Sequence, residues 1–71
     1  MSWQAILKKE YRYEHEAIEA AQKLANKTGR KQNVVAIRDD EDYSVEYQIT
    51  EEEVFDGPMN WLVLTVKEES Q

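Results

Sequence analysis

The sequence contains no cysteine, one proline, two glycines, one phenylalanine and one histidine. Without cysteine there is no disulfide staple, no thiolate zinc site and no thiol nucleophile, so the usual supplements to a thin core are missing. No apolar run approaches the roughly 20 residues needed to cross a bilayer, and residues 1–10 carry neither the long apolar stretch nor the cleavage site of a signal peptide. The expected compartment is the cytoplasm. Leu, Ile, Val and Phe together supply only 15 of 71 residues, just above the roughly 20% at which compositions begin to read as disordered. A chain of this length forms one domain and buries only about 60% of its unfolded surface, which leaves little room for an enclosed active-site cavity. These shortages disfavour an enzyme and point to a protein that acts by binding.

Charge is abundant and unevenly placed. The formal net charge is −6, from 15 acidic and 9 basic side chains. Residues 1–38 hold eight cations and four acids, a charge of +4, whereas residues 39–71 hold one cation and eleven acids, a charge of −10. Whether folding interleaves these halves or keeps them apart decides which surfaces are free to dock a partner.

Periodicity predicts an amphipathic helix over about 14–28, where Ala17, Ala20, Ala21, Leu24 and Thr28 recur at helical spacing, flanked by Ile18 and Ala25. Glu14, Glu16 and Glu19 near its start and Lys23 and Lys27 near its end each oppose the partial charge of the closer terminus. Gly29 is the expected stop. Val34-Val35-Ala36-Ile37-Arg38 reads as a central strand, and the alternating Tyr43 to Ile49 as its hairpin partner. A last strand is expected over about 60–67, with Leu62, Leu64 and Val66 on one face and Trp61, Val63 and Thr65 on the other. Thr50 and Glu53 have capping-box spacing, which suggests one short helical turn before Asp56-Gly57-Pro58. Residues 3–9 suit either a strand or a short helix, with a strand preferred because it would cover an open sheet edge. Residues 68–71 should fray. The expected fold class is α+β: one amphipathic helix packed on a three- or four-stranded antiparallel sheet.

No catalytic, metal or cofactor site is expected. His15 has Glu19 one helical turn away, but two such groups lack the convergent third that catalysis or metal binding needs. Asp39-Asp40-Glu41-Asp42 offers hard oxygens, yet the acids are consecutive and have no nearby glycine, unlike a calcium loop. They read as a hairpin tip.

Two surfaces are candidates for partners. Glu51, Glu52, Glu53 and Asp56 surround Val54 and Phe55 in the long connection to the last strand, and with Trp61 they form the favoured protein-binding residues. Homodimerisation is a second form of that expectation, because one helix covers only one sheet face. The alternative is a nucleic-acid interface: Lys23, Lys27, Arg30 and Lys31 could contact phosphates, with Tyr43, Tyr47 or Trp61 stacking on bases. The acidic half could also imitate a phosphate backbone.

Overall fold

The computed structural model describes residues 9–69. The expected strand or helix at residues 3–9 therefore lies, save for Lys9, outside the described residues. Four elements follow in order: α1 (Glu14–Thr28), β1 (Gln32–Arg38), β2 (Val45–Thr50) and β3 (Asn60–Val66). The strands form one antiparallel sheet in the order β2-β1-β3, with the helix packed against it, so the fold is α+β. No helix among the described residues is long and apolar enough to cross a membrane.

The helix begins after Tyr13, whose extended backbone makes no side-chain cap, and ends at Gly29. Gly29 adopts φ 74°, and its N–H donates to the Ala25 carbonyl at 2.8 Å. This left-handed stop costs a glycine little and satisfies a carbonyl that the helix would otherwise leave unpaired. The buried stripe is Ala17, Ala21 and Ala25, one residue per turn, so the helix backbone comes close to the sheet. Leu24 departs from the expected apolar face and lies 37% exposed.

β1 is the central strand, as its β-branched run suggests, and Val34 is fully buried against Ala17 and Ala21. Tyr11, Ile18, Tyr47, Ile49, Val63, Leu64 and Val66 pack against this cluster. Burying a valine side chain is worth about 1.5–3 kcal/mol, a large share of the stability of so small a domain.

The last strand does not alternate as expected. Val34 pairs with Leu64 but Val35 pairs with Leu62, so Val63 is an extra residue in β3. Such a bulge puts neighbouring side chains on the same side, and Val63 and Leu64 both pack on the core. Beyond it the faces are exchanged. Trp61, opposite Ala36, shares the helix face, where the Arg38 guanidinium sits 5.5 Å from its ring centroid, while Leu62 faces away and is 40% exposed.

The open edge of β2 is met by the chain leading into the helix. Tyr11 and Tyr47 exchange both backbone hydrogen bonds at 2.8 Å. The other end of the sheet is tied to the helix: Gln22 Nε2 donates to the Lys67 carbonyl at 2.7 Å, and the Glu69 N–H donates to Asn26 Oδ1 at 2.9 Å. Lys67 to Glu69, partly within the segment expected to fray, are held there.

Candidate protein-docking surface

β2 and β3 both run antiparallel to β1 on its opposite sides, so the chain between them must travel the length of β1. Residues 51–59 do this as a strap across the sheet face opposite the helix. Asn33, Val35, Gln48, Thr50 and Leu62 belong to that face by register, and they line two grooves beside the strap. Val35 is only 7% exposed although it points away from the helix. The second sheet face is thus partly covered by the chain itself, which removes part of the reason to expect a second copy there.

Polar contacts along its length seat the strap. Gln32 is 1% exposed and donates through Nε2 to Glu51 Oε2 at 3.0 Å, and Asn33 Nδ2 donates to the Glu52 carbonyl at 2.8 Å. Asn33 Oδ1 is itself satisfied by the Thr65 hydroxyl at 2.6 Å. Further along, Asn60 Nδ2 donates to the Phe55 carbonyl at 3.1 Å, and Leu62 N–H to Asp56 Oδ1 at 3.0 Å. The Gly57 N–H closes the turn onto the Asn60 carbonyl at 2.7 Å. The expected helical turn after Thr50 is absent. Instead the Thr50 hydroxyl accepts the Glu52 N–H at 3.1 Å, a local turn that competes with helix for the same donor.

The result is an exposed apolar side chain on a fixed backbone. Phe55 is 73% exposed while its own carbonyl is held. Val54 is half-buried between a groove of about 360 Å³, which Val35, Gln48 and Phe55 also line, and one of about 440 Å³, which Lys31, Asn33 and Leu62 also line. Glu53 borders both. Of the residues singled out as protein-binding, Glu51, Glu52, Glu53, Val54 and Phe55 lie together on the strap. Trp61 does not join them, because the bulge turns it to the helix face.

The four residues singled out for phosphate binding divide as well. Lys23 and Lys27 are exposed on the helix, but the Arg30 guanidinium lies 3.6 Å from the Glu51 carboxylate, and Lys31 lines the same groove as Glu51 and Glu53. Basic loop and acidic strap therefore meet. Their proximity follows from strand order, which no local pattern in the sequence encodes.

The remaining chemical candidates have structural explanations. His15 stacks on Tyr13 with ring centroids 5.9 Å apart at the exposed helix start. In the hairpin tip, Asp39 Oδ1 accepts the Glu41 N–H at 2.7 Å, and Asp42 Oδ1 accepts both the Ser44 N–H at 3.0 Å and its hydroxyl at 2.8 Å. The Ser44 N–H, followed by its hydroxyl, holds the Asp42 carboxyl below the ordinary carboxylate value. These acids organise a turn. Among the described residues no group of three or more His, Asp or Glu side chains is arranged to hold a metal ion.

A pair of carboxylates meets at the outer margin of β2. Gln48 Nε2 donates to Glu10 at 3.1 Å, and a hydrogen bond shared with Glu10, together with its like charge, raises the Glu46 carboxyl above its ordinary value. No protein-family model, curated protein or solved structure matches the chain.

Proposed function

We propose that this protein is a small acidic binding module that acts by engaging another protein, not by catalysis, through the strap and its two flanking grooves. The observation that carries this reading is Phe55, a large apolar side chain left 73% exposed on a segment whose Glu52 and Phe55 carbonyls accept from Asn33 and Asn60 and whose Asp56 carboxylate accepts from the Leu62 N–H. Aromatic anchors supply much of the energy of protein interfaces, and a pre-ordered segment loses less conformational freedom on binding. The charges on Glu51, Glu52, Glu53 and Asp56 form a polar rim around it.

The phosphate reading ranks second because a carboxylate already pairs with Arg30. A nucleic-acid contact there would have to displace Glu51 and would meet a net charge of −6 at long range.

The test is capture from nuclease-treated lysate of the source cell on immobilised wild type and on Phe55→Ser. A stoichiometric protein retained by the wild type and lost from the variant is the expected result. Equal retention by both would place the interface elsewhere, and retention only before nuclease treatment would favour nucleic acid.

A further inference from the structure

The acids facing the strap side of the sheet do not come from the strap alone. Glu46 pairs in register with Ile37, and Gln48 with Val35, so both project from the face that the strap crosses. The Glu10 carboxylate accepts from Gln48 and lines one groove with Glu46, which brings the segment before the helix to the same margin. That groove, of about 370 Å³, is lined by four acids, Glu10, Glu46, Asp39 and Asp40, against one cation, Arg38, with Ile37 and Met59 among its apolar walls. Past the other end of β2 lie Glu51, Glu52 and Glu53. Acids from four separate stretches thus rim the one face that presents Val54, Phe55 and Leu62.

Resting on the reading of the strap as a protein-docking surface, we infer that its occupant is a basic segment of another protein: a large apolar side chain seated beside Phe55 and Val54, flanked by lysine or arginine opposite Glu10, Glu46, Glu52 and Glu53. The argument is charge complementarity around an apolar centre. Opposite charge steers such a partner and suppresses wrong ones, while the apolar contact supplies the seat. The same charges oppose a second copy, because a two-fold axis through the strap would bring like-charged rims together. Repulsion between Glu10 and Glu46 within the free chain is relieved when a cation approaches either one.

The probes are short peptides: a lysine-rich one with a central tryptophan, the same peptide with serine for tryptophan, and a glutamate-rich one with the tryptophan. Titration of each into isotopically labelled protein is read by amide shifts. The lysine–tryptophan peptide is expected to bind tightest and to shift Gln48, Val54, Phe55 and Leu62. Phe55→Ser should weaken it about tenfold, as should the pair Glu52→Lys and Glu53→Lys, which leaves the backbone contact to Asn33 in place. Reversing Glu16 and Glu19 on the helix should change it little. Equal binding of the serine peptide, shifts confined to the helix, or indifference to the Glu52 and Glu53 reversals overturns the inference. So does concentration-dependent dimerisation abolished by Phe55→Ser. No peptide binding, combined with a cellular partner lost on Phe55→Ser, overturns the basic occupant and leaves the docking surface standing. Partner capture indifferent to Phe55→Ser removes the surface itself.

Discussion

The Arg30 guanidinium lies 3.6 Å from the carboxylate of Glu51, joining the basic loop after the helix to the start of the acidic strap. Arg30 and Glu51 are both substantially exposed, so the ion pair itself contributes only about 0–1 kcal/mol. The more consequential contact is the bond from buried Gln32 to the same carboxylate. Arg30→Ala should therefore lower stability by about 0.5 kcal/mol or less. Glu51→Ala, which leaves a buried amide without its best partner, should cost about 1–3 kcal/mol. Urea unfolding of the two variants measures both; equal losses would mean that Gln32 does not hold the strap.

The alanine stripe sets the distance between helix and sheet. Ala21 is fully buried against a core that contains Val34, so Ala21→Leu forces helix and sheet apart and should cost about 1–3 kcal/mol, with the melting temperature falling accordingly. Leu24→Ala, at a position 37% exposed, should cost less than Ala21→Leu. The reverse order in thermal melts would show that the helix packs on its Leu24 side.

Helix limits, strand identity and the central place of β1 were legible because each rests on a local period: one alanine per turn in the helix, β-branched residues in the buried strand, alternation in its hairpin partner. Gly29 was legible for the same reason, since a glycine past the last apolar turn has one economical role. The face assignment in β3 failed because a single extra residue, Val63, reverses the alternation, and a bulge leaves no mark in composition. The capping-box reading failed because the Thr50 hydroxyl is satisfied by an immediate turn before any helix can start. The separation of Trp61 from Phe55 and the meeting of Arg30 with Glu51 both depend on strand order, which is a property of the assembled sheet.

Tyr43 adopts φ 61° at the hairpin tip while 72% of its surface is exposed. A bulky residue in the left-handed region costs about 1–2 kcal/mol, and here no burial offsets it. Tyr43→Gly or Tyr43→Asn should raise stability by about 0.5–1 kcal/mol. Tyr43→Val, whose branched side chain is less compatible with that backbone, should lower it. A calorimetric melt of the three variants checks the order.

The pH dependence has two opposing contributions. Asp42 is lowered in the folded state, so it favours folding above its ordinary value, and that contribution is lost as pH falls through the lowered value. Glu46 is raised, so folding binds its proton more tightly; its contribution is present at acid pH and is lost as pH rises through the raised value. Glu46→Gln should therefore be more stable than the wild type at neutral pH, with the difference closing as pH falls. Asp42→Asn should be less stable at neutral pH, with its difference also closing in acid. Denaturant midpoints across pH 3–7, the range of ordinary carboxylate titration and above, read both slopes. A Glu46→Gln curve parallel to the wild type throughout would remove the Glu10 interaction.

The turn that carries Asp56 and Gly57 occupies the backbone groups of Asn60 and Leu62 at the outer edge of β3. A sheet edge left bare is a template for another chain, and in a protein with so few large apolar residues misassembly would compete closely with folding. The strap is thus also a guard against polymerisation. Proteolytic nicking near Phe55, or an engineered shortening of residues 51–59, would expose that template together with Val35 and so offer a seed for strand-by-strand growth.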